Sequence, residues 1–130
     1  MTIEFSIDPY PENGALNALW ATAWNEAAAR DFSVILSRSL AHIGAFDGVR
    51  LVGFVNVASD GGIHAFILDT CVAPEFRRQG IATRLVEMAT NVARKRGAEW
   101  LHVDFQPHLT GFYRSLGFTA TEAGLLRLRG

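Results

Sequence analysis

Between Ile67 and Gly97 the chain reads ILDTCVAPEFRRQGIATRLVEMATNVARKRG, and no other stretch restricts the possible folds so strongly. Ile67 to Val72 is apolar enough for an interior strand, and Pro74, which has no N–H to offer a ladder, ends it. Helical periodicity then takes over. Ile81, Leu85, Met88 and Val92 recur at spacings of four, three and four on one face, while Arg84, Glu87, Asn91, Lys95 and Arg96 point away from it. Gly97 closes the helix. A buried strand leading straight into a helix with one apolar face calls for a layered sheet-and-helix domain, with that face on the sheet.

The junction itself reads Arg77-Arg78-Gln79-Gly80-Ile81-Ala82. The first amides of a helix have no acceptor within it, and the aligned peptide dipoles leave partial positive charge there, so backbone N–H groups can hold a phosphate. Gly80 lets an anion approach, Ala82 keeps the next turn slim, and Arg77 and Arg78 add positive charge. Taken alone, the same residues also suit a plain basic helix start with a glycine in the preceding turn.

The order of strand, Val-x-Pro, Arg-x-x-Gly-x-Ala and amphipathic helix resembles the acetyl-CoA motif of the GNAT-type N-acetyltransferases, with Arg77, Gly80 and Ala82 in the motif positions. A second block, Phe112-Tyr113-Arg114-Ser115-Leu116-Gly117-Phe118, resembles the tyrosine helix and Leu-Gly-Phe turn of the same family. The resemblance is clear from about Leu51 onward and rests on element order before that. It implies a single domain over residues 1–130, with a mixed, mostly antiparallel sheet of six or seven strands and helices on both faces. It also implies acetyl-CoA as cosubstrate. The backbone of Thr70, Cys71 and Val72 would pair with the pantetheine arm, and Arg77, Arg78, Gln79, Gly80, Ile81, Ala82 and Thr83 would surround the pyrophosphate.

The rest of the chain fits that order. Ile3, Phe5 and Ile7 alternate with polar residues in a first strand, stopped by Pro9 and Pro11. A helix from Glu12 places Leu16, Leu19, Trp20 and Ala23 on one face, and after a break near Asn25 a second runs from about Ala27 to Ser39 with Phe32, Ile35 and Leu36 inward. In the family this helix pair walls the acceptor site. For Trp20, Trp24 and Phe32 the stronger reading is core packing. Leu40–Phe46 and Leu51–Ser59 form a hairpin across Asp47-Gly48, and Ile63–Val72 returns beside it after Asp60-Gly61-Gly62. Trp100–Phe105 is a fifth strand, parallel to the one before the long helix, Leu109–Leu116 a short helix, and Phe118–Leu128 extended.

Transfer of an acetyl group from a thioester to an amine needs a neutral amine, a donor for the carbonyl oxygen and a proton for the leaving thiolate. Tyr113 stands where the family's tyrosine offers its hydroxyl to the sulfur, and a phenol with an ordinary pKa of about 10 is a donor at neutral pH. For the base, His64, Asp69, His102, Asp104 and His108 lie on or beyond the central strands, and alternation sends His102 and Asp104 to one face. A lone histidine in a strand is more often structural. Cys71, the only cysteine, has no base adjacent in sequence and excludes an internal disulfide or a cysteine metal cluster; no histidine pair has zinc-binding helical spacing, so no metal is expected.

A net charge of −1 gives no reason to expect nucleic-acid or anionic-membrane partners. The N-terminus carries no basic-then-apolar run, and with a single cysteine a cytoplasmic location is expected. Two functions follow: an acetyl-CoA-dependent N-acetyltransferase acting on a small-molecule amine or on a protein or peptide amine, as a monomer or a homodimer, or a degenerate acyl-CoA-binding module without turnover.

Overall fold

A computed structural model describes residues 2–25 and 29–130. The elements run β1 (Ile3–Ile7), α1 (Asn13–Ala23), α2 (Ser33–Arg38), β2 (Ala41–Asp47), β3 (Arg50–Ser59), β4 (His64–Val72), α3 (Ile81–Lys95), β5 (Trp100–His102) and α4 (Thr110–Ser115). Short 3-10 turns occupy Pro74–Phe76 and Pro107–Leu109. The strands form one sheet in the order β1-β2-β3-β4-β5, antiparallel throughout except for the parallel β4–β5 pair that α3 connects.

Strand β3 is the centre of the molecule, buried from Leu51 to Val57 on both faces. Consecutive strand residues point to opposite faces. A Cβ built on Gly53 would sit 3.2 Å from the side chains of Ile81 and Leu85, so the missing side chain is what lets α3 lie so close. Its neighbour Phe54 meets the ring of Trp20 on α1, at 5.9 Å between centroids. Helices therefore cover both faces, as the pattern predicts. On α3 the apolar stripe is wider than Ile81, Leu85, Met88 and Val92, because Val86, Ala89 and Ala93 are buried as well.

Three expectations about extent need correction. Helix α2 starts only at Ser33; Ala27 and Ala28 lie outside the described residues, and Arg30 and Phe32 are held in another way. Asn17 Oδ1 accepts from the Arg30 amide at 2.8 Å and Asn13 Oδ1 from the Phe32 amide at 2.8 Å, so side chains of α1 take the amides a helix would have used. Ile35 is 39% exposed, while Phe32 and Leu36 are inward. Strand β5 stops at His102, because its ladder with β4 contains only His64–Trp100, Ala65–Leu101 and Phe66–His102 before the strands part. The sheet has five strands among the described residues, not six or seven. Residues 119–130 make no ladder, although their sequence suits one.

Where β1 ends, Asp8 and Tyr10 adopt φ of 53° and 50° and close over His42, which is fully buried. The Tyr10 amide donates to His42 Nε2 at 2.9 Å, and the His42 amide donates to Asp8 Oδ1 at 3.0 Å. Arg96, just past α3, donates from Nη1 to Asp8 Oδ2 at 2.7 Å and to the Leu40 carbonyl at 2.9 Å. Burial lowers the His42 pKa, the Asp8 carboxylate opposes that, and the Arg96 charge adds to it.

Candidate active site

After Phe66 and His102 the parallel pair separates, so the β5-facing edge of β4 is without a strand partner over residues 67–72. The β3-facing edge is irregular too: Cys71 pairs with Phe54 and Leu68 with Asn56, leaving Asp69 and Thr70 opposite Val55 alone. That bulge places Asp69 at φ 58°, a conformation costly for a residue with a Cβ. A cleft of about 530 Å³ opens here, between the parted strands and the start of α3. Strand β4 provides Thr70, Cys71 and Val72 as part of its lining.

The loop from Pro74 to Gly80 makes the second wall. Arg78 and Gly80 both take left-handed conformations, φ 62° and 80°, which turn the chain sharply into α3. Gly80 is its N-cap, with no side chain capping the helix, and the first helical bond runs from the Arg84 amide to the Gly80 carbonyl at 3.1 Å. The amides of Ile81, Ala82 and Thr83 are thus the unpaired donors of the first turn, and all three residues line the cleft with Gly80. A Cβ built on Gly80 meets nothing within 4 Å, so the space before these donors is open. This donor set fits a phosphate group.

Arg77 and Arg78, also in the lining, differ in what holds them. Arg77 donates from Nε to the Val72 carbonyl at 3.1 Å and from Nη2 to the Ala23 carbonyl at 3.0 Å. Its guanidinium therefore ties the loop to the end of β4 and the end of α1. Gln79 is not among the lining residues.

Tyr113 enters from α4 and is 5% exposed. Phe105 stacks on its ring at 4.6 Å, and Phe112 and Phe118 meet it edge-on at 4.9 and 5.6 Å, so the phenol has little freedom to turn. Burial raises its pKa, the neighbouring Thr70 hydroxyl lowers it, and the Asp104 carboxylate raises it. Thr70 Oγ1 lies beside the phenol but makes no hydrogen bond of full geometry, and is buried without a partner. The cleft thus contains a protonated phenol and an unpaired hydroxyl side by side. Burial, the largest effect, and the Asp69 carboxylate push the Cys71 thiol well above its ordinary value, so it stays protonated.

The other residues singled out from sequence are arranged differently. His102 and Asp104 are both exposed, and neither lines the cleft. The His102 ring instead meets His64, with His102 Nε2 2.8 Å from His64 Nδ1, and stacks on Phe66 at 4.6 Å. His108 lies in the turn before α4. Trp20 and Phe32 are core residues, as the packing reading has it, but Trp24 is not. It sits past the end of α1, 43% exposed, braced edge-on against Trp20 at 4.6 Å, and lines the cleft. Phe76, Leu109 and Phe112 complete an apolar lining. Phe112 adjoins Tyr113 in the second motif block and was open to prediction from it; Phe76 and Leu109 have no local signal.

Residues 4–118 match the family model described as "Acetyltransferase (GNAT) family". Over 76 residues, 58% of this chain, the sequence is 30% identical to an uncharacterized N-acetyltransferase ycf52 of Porphyra purpurea, and the match covers 44% of that relative. The fold superposes on a probable acetyltransferase of Staphylococcus aureus with a TM-score of 0.82 and 19% identity, covering 99% of this chain and 100% of the other. It also superposes on the PaiA N-acetyltransferase of Thermoplasma acidophilum in complex with coenzyme A, with a TM-score of 0.80, 17% identity, and coverage of 95% and 94%.

Proposed function

Because the chain belongs to the acetyltransferase (GNAT) family, we propose that it moves an acetyl group from acetyl-CoA to a primary amine by direct attack within a ternary complex. The observation that carries this reading is the opening of β4 from β5 beside an uncapped helix start, because it puts a free strand edge and a set of unpaired amides on one cleft. The amides of Ile81, Ala82 and Thr83 hold the pyrophosphate, with Gly80 allowing its approach and Arg78 adding charge. The free edge at Thr70, Cys71 and Val72 pairs with the pantetheine arm as a strand would. When bound, acetyl-CoA supplies an acyl group activated as a thioester, whose C–S bond breaks as the acceptor amine gains its C–N bond.

Tyr113 gives its hydroxyl proton to the departing sulfur. Its raised pKa keeps that proton in place at neutral pH, and the aromatic residues around the ring fix where the hydroxyl oxygen sits. The proton lost by the amine passes to a water held at the exposed pair His102 and Asp104, which stand beyond the residues that line the cleft. Within that pair the His102 ring is engaged by His64. Trp24, Leu109 and Phe112 form the wall that the acceptor meets.

The test is incubation with acetyl-CoA and a panel of small and peptide amines, following free thiol. Amine-dependent thiol release is the expected result. Coenzyme binding with no release for any amine would instead favour the binding-module function.

A further inference from the structure

The lining of the cleft is uneven in charge, and that bears on the acceptor of the acetyl transfer proposed above, on which this inference rests. Among the described residues its charged members are Arg77 and Arg78, and no aspartate or glutamate is with them. Asp69 and Asp104 act on Cys71 and Tyr113 from outside the lining. Glu75, in the turn after β4, is paired with Arg50 at 3.0 Å. The rest of the acceptor wall is apolar, with Trp24 from the end of α1, Leu109 from the turn before α4 and Phe112 from α4. Two of these rings are held from behind by buried ones. Trp24 rests edge-on against Trp20, which is itself packed on Phe32 at 5.0 Å and on Phe54 at 5.9 Å. Phe112 rests edge-on against Tyr113. The core therefore fixes both rings before any ligand arrives, which spares a ligand the cost of ordering them.

Such a wall sorts amines by their charge and by what carries the amino group. A second ammonium on the acceptor would leave water for a lining that offers it two guanidinium groups and no carboxylate, and neither desolvation nor repulsion is repaid. An apolar body gains instead, because it covers the exposed indole of Trp24 and the ring of Phe112. For the one reacting amine the same surroundings disfavour the ammonium and favour the neutral form that attacks. We infer that the acceptor is a small molecule with a single primary amine on an aromatic or other apolar body, held against Trp24 and Phe112. The cleft, about 530 Å³ in all, must also admit the pantetheine arm, which keeps that body small.

Two matched pairs of amines test this with acetyl-CoA and the full chain. Phenethylamine and ethylamine differ by the ring, and butylamine and putrescine differ by the second charge. From thiol release, kcat/KM should be at least about tenfold higher for the first member of each pair. Trp24→Gln should narrow the preference for phenethylamine, mainly through KM, and Trp24→Glu should shift the second pair toward putrescine. Calorimetry with the CoA-loaded protein reads the same wall without turnover: phenethylamine should bind, Trp24→Gln should weaken it, and putrescine should not bind. If no amine releases thiol while this binding pattern holds, acetyl transfer is refuted and the assignment of the wall stands. Putrescine used as well as butylamine, phenethylamine that does not bind, or preferences that both Trp24 variants leave unchanged would overturn the inference.

Discussion

The guanidinium of Arg77 donates to the carbonyl oxygen of Val72 at 3.1 Å, across the mouth of the cleft and from the loop that leads into α3. With its second bond, to Ala23, this side chain acts as a strut between three elements. A motif arginine is easily read as a counter-charge for phosphate, yet two of its five donors here are taken by backbone carbonyls.

Arg77→Ala and Arg77→Lys should therefore behave alike. Both lose the forked contact, and each should lose roughly 1 kcal/mol of stability with weaker coenzyme binding, because the loop is no longer held to Val72. Thermal melts and calorimetry with CoA check this. If Arg77→Lys matches the unmodified protein while Arg77→Ala fails, charge and not geometry is the role of Arg77.

Gly80 gives a sharper test of the anion site. Gly80→Ala and Gly80→Glu share the strain of a left-handed residue, about 1–2 kcal/mol, and the Cβ that both add meets nothing within 4 Å. Only the glutamate brings a negative charge in front of the amides of Ile81 to Thr83. CoA affinity by calorimetry should fall at least about tenfold further in Gly80→Glu than in Gly80→Ala, a difference of roughly 1.4 kcal/mol. Equal affinities would remove the phosphate assignment.

Tyr113→Phe keeps the ring among Phe105, Phe112 and Phe118 and deletes the hydroxyl. Coenzyme affinity should hold while turnover drops by about a hundredfold at neutral pH, a typical contribution for a general acid. The loss should shrink at high pH, where the raised phenol pKa is approached and the unmodified protein loses its own donor. Rates of thiol release at two pH values check both statements, and a ratio near one at each would mark Tyr113 as a packing residue.

His42 predicts how stability responds to acid. Its folded pKa lies below the ordinary 6.5, so below that pH the unfolded chain takes up a proton that the folded chain resists. Stability is then fully present above about pH 6.5 and lost as pH falls through that value toward the lower folded pKa. The Asp8 carboxylate, held below 3.8 by the His42 amide and Arg96 against the effect of burial, extends the loss to still lower pH. Melting temperatures from pH 7.5 down to 5 should fall for the unmodified protein and stay flatter for His42→Leu, which starts lower because the Tyr10 amide loses its acceptor. Parallel slopes would show that other groups control the acid response.

What the sequence determined by itself is whatever is written in local pattern. Alternation in Ile3–Ile7, the three-four spacing from Ile81 to Val92, Pro74, Gly80 and Gly97 are properties of neighbouring residues, and the elements they predict are present. The two motif blocks likewise brought Thr70–Val72, Gly80–Thr83 and Tyr113 into consideration, and all of these line one cleft. What only the tertiary structure decided depends on residues far apart in the chain. The parting of β4 from β5 after Phe66 is a fact about a ladder between strands more than thirty residues apart, and it both opens the cleft and shortens β5. Asn13 and Asn17 claim the amides of Phe32 and Arg30 across a turn, which no local propensity for α2 could reveal. Trp20 and Trp24 share a helical spacing, but only packing shows that one is buried and the other walls the site. His102 and Asp104 alternate onto one face, yet neither lines the cleft, and the ring of His102 meets His64 instead. For the segment after Phe118 the pattern predicts an extended strand, and the chain alone offers it no ladder, because a strand forms only where another edge meets it.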